Sequence, residues 1–105
     1  MTQEVFTEVV TDMINHSYRT LVVKGKEYAP GTDRLMAFKH AASLTGETTQ
    51  LALRGMLNKH IASIYRMCEM KDPSFFSDDT WKEKIGDAIN YLLLLYAVIK
   101  EQTDV

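Results

Sequence analysis

The sequence predicts an all-α protein: a single domain over residues 1–105, built as a bundle of four helices, three long and one short. Three observations carry that expectation. Apolar residues recur at three- and four-residue spacing, and no stretch alternates apolar with polar residues long enough for a half-buried strand. The only two prolines, Pro30 and Pro73, sit among turn formers, in Tyr28-Ala29-Pro30-Gly31-Thr32-Asp33 and Lys71-Asp72-Pro73-Ser74, and mark the corners. Hydrophobic residues make up 46% of the chain, enough for one compact core.

The first helix is expected from about Thr2 to Tyr28. Its buried side carries Val5, Phe6, Val9, Val10 and Met13, and His16 and Thr20 continue the stripe. Val22, Val23 and Gly25 lower helix propensity, so this helix should loosen or bend near Gly25. Asp33 is a suitable N-cap for a short second helix through Leu35, Phe38, Ala41 and Ala42 to Leu44, ended by Gly46. The third starts near Glu47 or Thr48 and runs to about Met70, with Leu53, Met56, Leu57, His60, Ile64 and Met67 on one inward face. The fourth opens at Ser77 or Asp78, whose oxygens and charge suit exposed amides, and continues to about Gln102.

From Tyr91 to Ile99 the fourth helix is apolar on every side, with Leu94 and Ala97 on one face and Leu92, Tyr96 and Ile99 on the opposite one. Such a helix either sits at the centre of a bundle or has its second face covered by another copy of the protein. With so few helices available, the second arrangement is the expectation, and a homodimer or homotetramer follows from it.

Charge and cysteine content narrow the classes. With 12 Lys and Arg against 14 Asp and Glu, the formal net charge is −2, so no electrostatic excess is available for general nucleic-acid binding. Cys68 is the only cysteine, which rules out an intramolecular disulfide and a zinc site built on paired cysteines, and suits a reducing cytoplasm. The longest apolar run, Tyr91 to Ile99, is nine residues. A span needs roughly 18 to 20. Without a basic-then-apolar leader, the chain is expected to be cytoplasmic and to have no membrane partner.

The residues that point to chemistry are polar ones lying on apolar stripes. In Trp81-Lys82-Glu83-Lys84-Ile85-Gly86-Asp87-Ala88-Ile89-Asn90-Tyr91, the residues Glu83, Asp87 and Asn90 fall at i, i+4 and i+7, on a line that continues into Leu94 and Ala97. Two carboxylates on adjacent turns repel one another, and a hard divalent cation with oxygen ligands relieves that repulsion. Mg²⁺, for which Mn²⁺ can substitute, suits one or two carboxylates with water and substrate phosphate in its remaining positions. A second reading leaves Glu83 solvated and paired with Lys82, Lys84 or Lys59, while Asp87 bonds a neighbouring helix end.

His60 lies mid-stripe between Leu57 and Ile64, with Lys59 before it and Ser63 one turn later. A cation, an imidazole and a hydroxyl at a core edge can receive a phosphate or a base; a core histidine with one hydrogen bond is the plainer reading. His16 reads as structural. The cluster Lys24-Gly25-Lys26-Glu27-Tyr28, with Asp33-Arg34 and Phe38-Lys39-His40, is either a solvated corner or a polar rim. In the rim reading Lys24, Lys26 or Lys39 meets phosphate, Glu27 completes a metal shell, and Tyr28 or Phe38 stacks on a base. Walker-type, zinc-protease and nucleophile-elbow motifs are all missing from the sequence.

Taken together, Lys24-Gly25-Lys26-Glu27-Tyr28, Asp33-Arg34-Leu35 with Phe38, Lys59-His60 with Ser63-Ile64, and the run from Glu83 to Tyr91 resemble small phage-encoded proteins of the MazG-like, all-α nucleoside triphosphate pyrophosphohydrolase type, nearest their nucleotide-modification-associated branches. The resemblance covers roughly residues 18 to 100. It implies an oligomeric helical bundle, a Mg²⁺ site, and cleavage of a nucleoside triphosphate to monophosphate and pyrophosphate. Under it Glu83 and Asp87, joined by Glu27, would hold the metal. Asn90 would orient the ligand, Lys24, Lys39 and Lys59 would offset phosphate charge, and His60 would move a proton. The family carries Glu-Glu-x-x-Glu on one helix and Glu-x-x-Asp on the next. Here Asp87-x-x-Asn90 stands for the second motif, while Asn58, Lys59, His60 and Ser63 stand in the candidate positions of the first. Fewer carboxylates mean one metal or none, so a non-catalytic nucleotide or signal-molecule binder, or a protein-interaction module, are the competing expectations.

Overall fold

The computed structural model describes residues 1–28 and 33–104, without the side chains of residues 27 and 28. Among them there is no strand. The elements are α1 (Gln3–Tyr18), a π-helical turn (Arg19–Val23), α2 (Gly25–Tyr28), α3 (Met36–Thr45), α4 (Thr49–Cys68), a 3₁₀ turn (Pro73–Phe75) and α5 (Asp78–Thr103). Thus α1, α4 and α5 are the three long helices and α3 the short one.

Local chemistry sets the ends. Thr2, Thr48 and Ser77 each accept a backbone N–H from three residues on, as hydroxyl N-caps do. Gly46 closes α3 in the left-handed conformation at φ 70°, donating its N–H to the Ala42 carbonyl, a geometry glycine adopts without a Cβ penalty. Asp33 does not cap α3 as expected. Its carboxylate accepts the Leu35 N–H at 2.9 Å, which spends it on the turn before the helix, and Leu35 takes the cap position with no side-chain bond. The first helix does loosen ahead of Gly25, where a new element begins. The loosening takes the form of a widened turn over Arg19–Val23, closed by the Lys24 N–H, which reaches back five residues to the Arg19 carbonyl at 2.9 Å.

The central element is α5, with α1 packed along one side and α4 along another, while α3 packs on α4; among the described residues no substantial contact joins α1 to α4. α1 runs parallel to α5, since Asp12 meets Lys82 and His16 lies over Gly86. α4 runs antiparallel, since His60 approaches Asp87 and Gln50 bonds Gln102. The core gathers Leu35, Phe38, Leu53 and Val98, with Met56, Tyr91, Leu94 and Leu95 packed against it, at the end of the layer where α3, α4 and the last turns of α5 meet.

The expected inward stripe of α1 is only partly covered. Val5, Phe6, Val9 and Val10 are exposed, and burial begins at Met13. The reason is length. The first turn of α5 reaches no further along α1 than Val9, which shares a hollow with Asp78 and Trp81, so the opening turns of α1 overhang it.

Candidate functional site

A close approach between α1 and α5 creates the site. A Cβ on Gly86 would stand 3.1 Å from His16 Cδ2 and 3.2 Å from the Met13 terminal methyl, so this glycine lets α1 lie against α5 at that point. Above it the helices part around a cleft of about 370 Å³. One wall is the line Glu83, Asp87 and Asn90, with Asp79 and Lys82 beside it; the facing wall is His16, Thr20 and Lys24.

The α5 line passes from solvent to interior. Glu83 is exposed, Asp87 half-buried, and Asn90 only 7% exposed. Asn90 Oδ1 is buried without a hydrogen-bond partner, a group that costs stability unless a donor or a cation meets it. A smaller hollow of about 230 Å³ shares Thr20, Asp87 and Asn90 with the cleft and adds Arg34, Phe38, Tyr91 and Leu94, an apolar and aromatic surface behind a polar one.

Behind Asp87 stands His60, its Nδ1 at 3.9 Å from Asp87 Oδ2, an ion-pair separation when the imidazole is protonated and too long for a direct hydrogen bond. The imidazole lies against the Tyr91 ring, centroids 4.6 Å apart, and Tyr91 meets Phe38 edge-on at 6.1 Å. The face of His60 is therefore fixed by aromatic packing and its edge is turned toward the cleft carboxylate.

Carboxylates outweigh the cations in this cleft. Asp79, Glu83 and Asp87 face Lys24 and Lys82, and Lys82 is engaged by Asp12 at 2.6 Å. That hydrogen-bonded pairing lowers the Asp12 pKa and raises that of Lys82. Glu83 is exposed, as its second reading has it, but among the described residues it forms no ion pair with Lys82, Lys84 or Lys59.

Lys24, Glu83, Asp87 and Asn90 come together, with His60 adjoining through Asp87. Lys39 does not join them. It is held between Asp33 and Glu101, whose hydrogen bonds raise its pKa. Lys59 sits on the exposed side of α4, one residue and about 100° from His60, and neither it nor Ser63 lines the cleft. The side chains of Glu27 and Tyr28 lie outside the described residues. Among the described residues no three His, Cys, Asp or Glu side chains form a group able to hold a metal ion.

Sequence reasoning passed over His16, Thr20 and Tyr91 as site residues. The signal for the first two was present: His16, Thr20 and Lys24 repeat at four-residue intervals on one helix, as Glu83 and Asp87 do on another. What could not be read was that the two lines face one another, because that depends on the parallel crossing at Gly86. No helix of the described residues is long and apolar enough to cross a membrane. Comparison with protein-family models, with curated proteins and with solved structures returns no match.

Proposed function

We propose that the chain binds a nucleotide in the cleft between α1 and α5, on a MazG-like scaffold, and hydrolyses a nucleoside triphosphate to monophosphate and pyrophosphate with Mg²⁺. The observation that carries this reading is the unpartnered Asn90 Oδ1 at the floor of a cleft whose wall also holds Asp87 and Glu83. Two carboxylates one turn apart suit a hard cation that keeps water and phosphate in its other positions, and Asn90 beyond them is left for the ligand. An excess of carboxylates also means that a triphosphate would enter as its metal complex, since the bare anion would be repelled.

In this mechanism Glu83 and Asp87 would hold the ion, which would supply polarisation of a phosphoryl oxygen, while water adds at the α-phosphorus and pyrophosphate leaves. Lys24, across the cleft, offsets charge on the phosphates. Asn90 fixes the ligand's orientation, and the hollow lined by Phe38, Tyr91 and Leu94 offers an aromatic surface to the base. His60, behind the Asp87 carboxylate, would take or return a proton.

A second reading, a nucleotide binder without turnover, is favoured by His60 standing beside Asp87 where the resembled enzymes carry further carboxylates. One experiment separates the two. Calorimetric titration with a nucleoside triphosphate panel, with and without Mg²⁺, is run beside a pyrophosphate-release assay. Turnover that is abolished in Asp87→Asn, with an unchanged melting temperature, supports the enzyme. Metal-dependent binding without release supports the binder. Full turnover in Asp87→Asn, or no binding at all, overturns the site.

A further inference from the structure

The side of α5 turned away from the cleft carries Ile85, Ile89, Leu92, Tyr96 and Ile99, at steps of four, three, four and three. That is the spacing of a coiled-coil seam, the stripe one helix offers to another when knobs enter holes. At about 100° per residue it centres on the opposite side of α5 from Glu83, Asp87 and Asn90. Among the described residues it is covered only in part, and its middle stands open. Leu92 is 52% exposed and Tyr96 65%, while Ile85 and Ile99 at either end are 37% exposed and Ile89 is half-buried. No charged side chain interrupts the stripe, which departs from the polar outer face of a helix built to meet water.

The molecule's surface gives the size of what is missing. A compact chain of this mass exposes roughly 6,000 Å². This one exposes 7777 Å². Its radius of gyration is 15.9 Å, where a compact domain of this length has about 13 Å. The excess, roughly 1,800 Å² per chain, exceeds the roughly 800 Å² that each partner contributes to a stable interface. The overhanging apolar turns of α1, with Val5, Phe6, Val9 and Val10, belong to the same deficit.

We infer that a second copy of this chain pairs with the first through the α5 seam. A two-fold interface presents one patch twice, and a four-three stripe packs into the same stripe of its counterpart. Because seam and cleft lie on opposite sides of α5, each protomer keeps its own cleft open, and assembly and ligand binding separate.

Light scattering on the full chain at micromolar concentration should give at least twice the single-chain 12.0 kDa. Leu92→Glu combined with Ile99→Glu should return the single-chain mass with the helical circular dichroism retained, whereas Asp87→Asn, across the helix, should leave the mass unchanged. A second measurement stands apart from the folding of that variant. With Cys68→Ala in the background, Leu92→Cys should form a disulfide-linked dimer under mild oxidation, and Lys59→Cys, at an exposed position of α4, should not. A wild-type mass of one chain, an assembly that survives both glutamates, or no cross-link at position 92 overturns the pairing. None of these outcomes depends on whether a nucleotide binds.

Discussion

Asn90 is where stability and function pull apart. Its Oδ1 is buried without a partner, so the folded chain carries a desolvation cost of about 1 to 3 kcal/mol that a ligand donor or cation would relieve. Asn90→Leu, close in volume and without polar atoms, should therefore raise the urea midpoint or leave it unchanged while abolishing ligand binding in titration. A residue kept only for packing would give the reverse, a loss of stability with binding intact. Asn90 was legible in the sequence through its i+7 spacing from Glu83. Its lack of a partner was not, because that depends on which side chains of α1 and α3 arrive opposite it.

At the scale of the element, α3 and α4 bear two glycines with contrary roles. Gly46 adopts φ 70° to end α3, and Gly55 lies on the outer side of α4 with nothing within 4 Å of where a Cβ would stand. Gly46→Ala should cost about 1 kcal/mol through backbone strain, and Gly55→Ala should gain about 0.5 to 1 kcal/mol through helix propensity. Thermal unfolding of the two variants should shift in opposite directions. The helices themselves were readable from hydroxyl caps and apolar spacing, which act locally. The cap role expected of Asp33 was not, because its carboxylate had two competing donors, the Leu35 amide and Lys39.

For the whole molecule, α5 is the frame and ion pairs fasten other parts of the chain to it. Asp12 binds Lys82 and ties α1 down; Lys39 of α3 bridges Asp33 and Glu101 and draws the entry to α3 onto the end of α5. Hydrogen bonds from the lysines hold the Asp12 and Asp33 carboxyls below their ordinary value of 3.8. Groups depressed in this way stabilise the fold fully above the unfolded-chain value and lose that contribution as pH falls from there through the folded value. The urea midpoint should thus decline as pH drops from about 5 toward 3. Asp12→Asn should flatten part of that decline, while an unchanged slope would mean the pair does nothing for the fold. These partners are open to solvent, so each effect is small. The parallel placement of α1 on α5 was beyond sequence reasoning, since helix spacing gives each helix a face but not the neighbour that face meets.

The widened turn at Arg19–Val23 bears on how much length this protein can lose. A π-helical turn is an α-helix that has swallowed one additional amino acid without disturbing the phase of the turns on either side. Removing Val23 should let the backbone relax into ordinary α-helix, leaving Lys24 on the same side as His16 and Thr20, with the melting temperature preserved or raised. Removing Asn15 instead would swing every earlier side chain of α1 by about 100° relative to the cleft and detach Asp12 from Lys82. Beyond the overhanging opening turns, a single-codon deletion scan read by folding yield should accordingly find a tolerant window in this helix that coincides with those five positions.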